Sequence, residues 1–259
     1  MILSANDFEN FTSAVSDISG CDPFACRIIS LHNSYQPRLA FVDYWTITGE
    51  NGEIYGAIAR NGSNFILLLN EHCDLDEVSS FMRVAGATGV ICKGEYKLEL
   101  YGSRSVTGSV LMRNTKFDMK EEDGIKLIQP DIRSAYELII RCADANFVPP
   151  PFEDFYVDVN HKLRHNSMRL CGIEENNRLA AVAMTVAESC DGAVLGAVSC
   201  DPDFRRRGYG SSIVKHITNM LVEENKCVFL HRAKNANVSF YNNLGFKEAG
   251  KWREYYFEG

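Results

Sequence analysis

The chemistry most legible in this sequence lies in seven consecutive residues, Arg205-Arg206-Arg207-Gly208-Tyr209-Gly210-Ser211. An apolar run, Ala193 to Cys200, precedes them through the turn formers Asp201-Pro202-Asp203, and an amphipathic stretch follows to Glu223. This layout predicts a buried strand, a turn and a helix that opens on glycines. The first four N–H groups of a helix lack intrahelical partners, and the helix dipole leaves partial positive charge there. Such an end binds a phosphate or diphosphate. Gly208 and Gly210 lack a Cβ and let an anion approach the backbone. Ser211 adds a hydroxyl donor and the three arginines a local positive field. Neither the three-glycine dinucleotide fingerprint nor the Gly-Lys-Ser/Thr phosphate loop is present.

The Arg205-x-x-Gly208-x-Gly210 spacing resembles the Arg/Gln-x-x-Gly-x-Gly/Ala signature of the GNAT acetyltransferase superfamily. Downstream, Phe240-Tyr241-Asn242-Asn243-Leu244-Gly245-Phe246 resembles the family's Phe/Leu-Tyr-x-x-Leu-Gly-Phe segment. The resemblance covers residues 125–259 and implies acetyl-CoA as co-substrate. By resemblance, the diphosphate lies on Arg205, Arg206, Arg207, Gly208, Tyr209, Gly210 and Ser211. The pantetheine arm lies along Val198, Ser199 and Cys200, where that strand splays from Cys227–Leu230. An extended, amide-rich arm suits an unpaired strand edge, which it joins as a pseudo-strand. Asn235 and Asn237 are the implied cofactor asparagines, with helix capping as their other use.

The implied reaction is direct transfer of the acetyl group to a primary amine of a small molecule or peptide. Tyr241 is then the general acid, since a phenol with a pKa of about 10 stays protonated at neutral pH. The strand Ala193–Cys200 holds no carboxylate, which leaves Glu174, Glu188, Asp191, His161 and His231 as candidate bases. The segment Phe147 to Phe152 and the cluster Trp252, Tyr255, Tyr256 and Phe257 are candidate walls of an acceptor pocket. The competing reading is a non-catalytic CoA-binding sensor or scaffold.

Hydrophobic periodicity and turn residues lay out the elements that must position these groups. The second half reads β-α-α-β-β-β-α-β-α-β from Ile125 onward, and the first half reads α-α-β-β-β-α-β. The fold class is therefore α/β, a GNAT-type mixed, mostly antiparallel sheet flanked by helices, preceded by a second α/β domain. The boundaries are 1–120 and 125–259, with the charge-dense stretch Lys116 to Gly124 as linker. The first half has no Arg-x-x-Gly-x-Gly loop; its nearest stretch, Tyr101 to Ser109, has the wrong spacing. It reads as a degenerate copy, with acceptor specificity, a homodimer surface and stability as its open roles.

Bulk properties narrow the classes. The 259 residues carry a net charge of -7, and residues 1–124 hold 17 acidic and 10 basic side chains against 17 of each in 125–259. No basic field covers either half, which argues against nucleic acid as a partner. Nine scattered cysteines without a C-x-x-C pair predict no disulfide framework and no metal site. The start Met-Ile-Leu-Ser-Ala-Asn-Asp lacks the basic and apolar regions of a signal peptide, and no run is long enough to span a membrane. The expected location is the cytoplasm.

Overall fold

In the computed structural model the described residues are 1–5, 9–35, 39–118, 126–144 and 148–257. They form two compact units, Met1–Val110 with 232–234 and 248–259, and Leu111–His231 with 235–247. Most of the expected linker, residues 119–124, lies outside the described residues, as do Ala145 and Phe147.

The first unit runs β1 (Ile2–Ser4), α1 (Phe11–Ser19), α2 (Pro23–Ser34), β2 (Val42–Thr48), β3 (Ile54–Asn61), β4 (Asn64–Leu68), α3 (Leu75–Val84), β5 (Gly89–Lys93) and β6 (Ser103–Arg113), of which residues 111–113 count with the second unit. Strands β1 to β4 pair antiparallel in sequence order, and β4 pairs with β5 in parallel. Helix α2 starts at Asp22-Pro23, with the Asp22 carboxylate accepting from the amides of Phe24 and Ala25. Two elements depart from the sequence reading. Residues 2–4 form a strand where the loose apolar patterning predicts helix. Residues 103–113 form a strand whose Ser, Thr and Gly content hides its alternation.

The second unit repeats this order: β7 (Lys126–Ile128), α4 (Ile132–Cys142), α5 (Phe152–Arg164), β8 (Leu170–Glu175), β9 (Arg178–Glu188), β10 (Gly192–Cys200), α6 (Tyr209–Glu223) and β11 (Cys227–Ala233), then α7 (Val238–Asn243). Strands β7 to β10 pair antiparallel in order, and β10 pairs with β11 in parallel. Its main core places Ile213, Val214, Ile217 and Leu221 of α6 against Ala181, Ala183, Ala193 and Leu195 of the sheet, with Tyr241, Leu244 and Phe246 in the same cluster. Spacing of three to four residues along α6 and of two along the strands puts these side chains on one face each. The last strand, β12 (Lys247–Phe257), contributes residues 248–257 to the first unit, where Trp252 to Tyr256 pair antiparallel with Lys93 to Gly89. The aromatic cluster Trp252, Tyr255, Tyr256 and Phe257 therefore sits in that unit, with Trp252 and Tyr255 buried.

Candidate functional site

The site is built where β10 and β11 part. Their pairing covers Gly192 to Leu195 against Cys227 to Leu230 and goes no further, although β10 continues to Cys200 and β11 to Ala233. On the other side β10 stays paired with β9, but the register slips between Gly196 and Ser199. The slip is a bulge: Ala197 takes φ 49°, and Gly196, Ala197 and Val198 are half-buried while Ser199 is buried. The bulge lies on the stretch of β10 that its parallel partner has left.

At the end of β10 a buried carboxylate fixes the turn. Asp201 accepts from the Asp203 amide at 3.0 Å and from the Arg141 guanidinium of α4 at 2.9 Å, with Arg178 at 3.5 Å. Its side chain is 4% exposed, so these partners offset the cost of burying its charge. Phe204, also buried, receives the guanidinia of Arg178 and Arg207 on its ring at 5.0 and 5.4 Å.

The chain then reaches α6 through two left-handed residues, Arg206 at φ 63° and Gly208 at φ 90°. Gly208 is the helix N-cap; no side chain caps the first turn, which holds no acidic residue, and the first helical bond runs from Ser212 N–H to the Gly208 carbonyl. The amides of Tyr209, Gly210 and Ser211 therefore precede the helical ladder. A Cβ on Gly208 would meet open space, so its glycine answers to φ, whereas a Cβ on Gly210 would lie 3.7 Å from the Phe240 ring and 3.9 Å from Cys200 Cβ. The loop, the strand end and the Phe240-Tyr241 pair are thereby brought together.

The three arginines are used unequally. Arg205 donates from Nε to the Cys200 carbonyl at 3.2 Å, an oxygen that also accepts from the Cys142 thiol at 3.3 Å. Arg207 lies over Phe204, 3.8 Å from a Glu175 oxygen. Arg206 is exposed. Burial pushes the Cys200 thiol up, against the opposite pull of Arg205 and the Gly210 amide.

Tyr241 is buried, with its ring edge-on to Phe240 at 4.9 Å and to Phe246 at 6.0 Å. Burial pushes its hydroxyl up to about 12, so it holds its proton throughout the neutral range. Asn235 and Asn237 are exposed and left-handed at φ 64° and 50°. Asn237 stands at the N-cap of α7 without a side-chain capping bond, and its carbonyl accepts from the Tyr241 amide at 3.2 Å.

The candidate bases separate clearly. Glu188 is locked in a buried network, accepting from Thr185 Oγ1 at 2.7 Å, Arg169 Nε at 3.2 Å and Lys226 Nζ at 3.0 Å. Glu174 pairs with Lys126, Asp191 accepts from the Cys190 thiol, and the His161 ring lies 4.2 Å from that of His165. His231 is half-buried on β11, one residue past its last pairing with β10. Phe152 packs on Tyr136 and Tyr156 and helps line a hollow of about 710 Å³ along α5 with Arg133, Leu163 and Arg164. No cluster of His, Cys, Asp and Glu suited to a metal exists among the described residues, and no helix there is long and apolar enough to cross a membrane.

The resemblance puts Ala197, with Gly196 and Val198, in the strand along the pantetheine arm, but sequence reasoning missed its bulge and the parts played by Asp201, Phe204 and Glu175. Only Asp201, the single carboxylate at the end of an apolar strand, carried a signal. Glu175 accepts from the Tyr209 hydroxyl, a long-range contact that spacing does not reveal.

Comparison with known proteins fits this geometry. A family model described as "FR47-like protein" matches residues 170–257. The bS18-alanine N-acetyltransferase of Salmonella typhimurium is 40% identical over 85 residues, 31% of this chain and 56% of that protein. Its Escherichia coli K12 counterpart is 30% identical over 87 residues, 32% of this chain and 58% of that one. The chain thus spans less than three fifths of the length of these curated relatives. Solved structures match along nearly the whole chain. A Drosophila protein gives a TM-score of 0.66 at 12% identity, covering 100% of this chain and 98% of its own. A tandem GNAT protein from the clavulanic acid biosynthesis pathway gives 0.57 at 12% identity, covering 98% and 97%. The repeated strand and helix order is that of the GNAT fold in tandem, and within the C-terminal half residues 170–257 are similar to the FR47-like model and to the N-acetyltransferases above.

Proposed function

We propose that the C-terminal unit is an acetyl-CoA-dependent N-acetyltransferase that moves the acetyl group directly to a primary amine of a small molecule or peptide. The observation that carries this reading is the parting of β10 from β11 after Leu195 and Leu230, in line with the uncapped first turn of α6. The residues fit the co-substrate. The amides of the first helical turn, which precede its ladder, and the exposed arginines suit a diphosphate, and the main chain at Gly196 to Val198 suits the amides of a pantetheine arm. One further fact supports the assignment. Among the described residues, the non-glycine positions at positive φ are six asparagines plus Ala197 and Arg206. Alanine and arginine tolerate that region poorly, and strain of this kind collects at functional sites.

In the transfer, strand and loop fix the thioester so that a neutral amine can attack its carbonyl. Tyr241, protonated by virtue of its burial, returns a proton to the leaving thiolate. The amine is deprotonated by a water chain or by His231, the candidate nearest the parting of the strands. The protein acts in the cytoplasm on this reading.

The engaged state of Glu188 gives the sensor reading its one specific support. Calorimetry with CoA, followed by thiol release across a panel of amines, separates the two. Heat together with acceptor-dependent thiol is expected, and heat without thiol favours the sensor. Tyr241→Phe should lower kcat by about 100-fold while the CoA Kd stays within about twofold. With its proton held to about 12, Tyr241 should not set the alkaline limb of the rate near pH 10. Equal rates in the variant remove its acid role.

A further inference from the structure

The carboxylate of Glu175 stands at the end of β8, outside every residue yet given a role toward the co-substrate. It accepts from the hydroxyl of Tyr209, the first residue of α6, and lies 3.8 Å from Arg207 Nη1. The Tyr209 ring in turn meets buried Phe204 edge-on at 6.1 Å, on the ring that also carries Arg207 and Arg178. Two residues of the anion loop, on either side of Gly208, are thus tied to one acid. That is unexpected electrostatically, because a carboxylate beside an anion site repels the ligand the site is built for.

We infer that Glu175 is a positioning residue: by holding Tyr209 it sets the direction of the first amides of α6 before the diphosphate arrives. This rests on the acetyl-CoA reading above. The loop leading to α6 has left-handed residues at 206 and 208 and no side-chain cap from its N-cap residue, so Tyr209, the first residue of the helix, is a point at which a partner from β8 can hold it. Anchoring the first helical residue from outside lowers the ordering cost of binding. The benefit of a fixed cradle then outweighs the repulsion, which pairing with Arg207 partly cancels. The Tyr209 phenol, pushed up chiefly by the bond to Glu175, keeps its proton and so keeps donating.

The test is a cycle of four variants in the full chain, titrated with CoA and then assayed over a range of acetyl-CoA concentrations. Tyr209→Phe removes one oxygen and keeps the ring on Phe204, so the fold is retained. If Glu175 positions the loop, Tyr209→Phe, Glu175→Ala and the double variant each weaken CoA by the same factor, about tenfold, because all break one bond. Glu175→Gln, whose amide oxygen still accepts from Tyr209, restores near-native affinity, and the loss in Glu175→Ala is read in the KM for acetyl-CoA. The inference is overturned if Glu175→Ala and Glu175→Gln both tighten CoA while Tyr209→Phe does nothing. That pattern makes the carboxylate a charge and nothing more. Additive losses, or none, overturn it as well. A wild type that gives no heat with CoA sinks the acetyl-CoA reading and this role with it, whereas a binding wild type with indifferent variants sinks this role alone.

Discussion

The two units share one order of strands and helices, yet they treat the same position in opposite ways. In each, a parallel pair forms after the fourth strand and then diverges: β4 leaves β5 after Ile66 and Ile91, and β10 leaves β11 after Leu195 and Leu230. In the first unit the residues beyond the split are Leu67, Leu68 and Leu69, all but fully buried, with Cys92 buried opposite. In the second they are Gly196, Ala197 and Val198, half-buried. The helices that follow differ in the same sense. Helix α3 is capped by Asp74, which accepts from the amides of Asp76 and Glu77, and its first turn is acidic. Helix α6 starts on Gly208 with no cap and no acid. A carboxylate on the first amides satisfies and neutralises the end of a helix. Leaving that end open costs stability and keeps it available to a ligand. One fold therefore appears twice, once closed by leucines and an aspartate and once left open by small residues and a glycine.

Importing the closed solution into the open unit should have the largest effect. Gly208→Asp places a carboxylate at the mouth of α6. A like charge near the surface costs a few kcal/mol at contact distance, so CoA affinity should fall by at least about 100-fold. The circular dichroism spectrum should stay native: the side chain meets open space, and the left-handed φ of 90° costs a non-glycine residue only about 1–2 kcal/mol. Undiminished CoA binding by calorimetry would mean that the end of α6 is not where the anion lies.

The reverse exchange should be milder. Asp74→Ala removes the cap of α3 and should destabilise the protein by about 1 kcal/mol in urea unfolding. It should not create a second CoA site, because Leu67 to Leu69 still fill the split. A titration that rises above one CoA per chain in this variant would show that the cap alone closes the first unit.

Much of this contrast is written in the amino-acid sequence. The strand, turn and glycine-led helix around Arg205 to Ser211 follow from local rules, and Tyr241 follows from the motif that holds it. The order of elements is largely legible because apolar periodicity is strong in both halves. The rest depends on contacts far apart in sequence. Strand β6 hides behind serine, threonine and glycine, and β12 pairs with β5 across more than half the chain. The bulge at Ala197 leaves no mark in a run that reads as an ordinary apolar strand. The tie from Tyr209 to Glu175 joins two elements that only the sheet brings together.

Strain offers the finest test of the contrast. In the first unit every described residue at positive φ is a glycine, while the second holds Ala197 and Arg206 there. A left-handed backbone costs an L-residue about 1–2 kcal/mol, and glycine gives back about 0.5–1 kcal/mol through the greater freedom of the unfolded chain. Ala197→Gly and Arg206→Gly should therefore each stabilise the protein by about 0.5 kcal/mol. Asn225→Gly, at φ 61° beyond the far end of α6, serves as control, since asparagine already accepts that region and little strain is left to relieve. If the strained backbone shapes the cleft, Ala197→Gly should raise the melting temperature above that of Asn225→Gly while weakening CoA by a few-fold, through a bulge that no longer holds one conformation. A melting temperature at or below the control would show that Ala197 sits there without cost, and the difference between the two units would then rest on their caps and leucines alone.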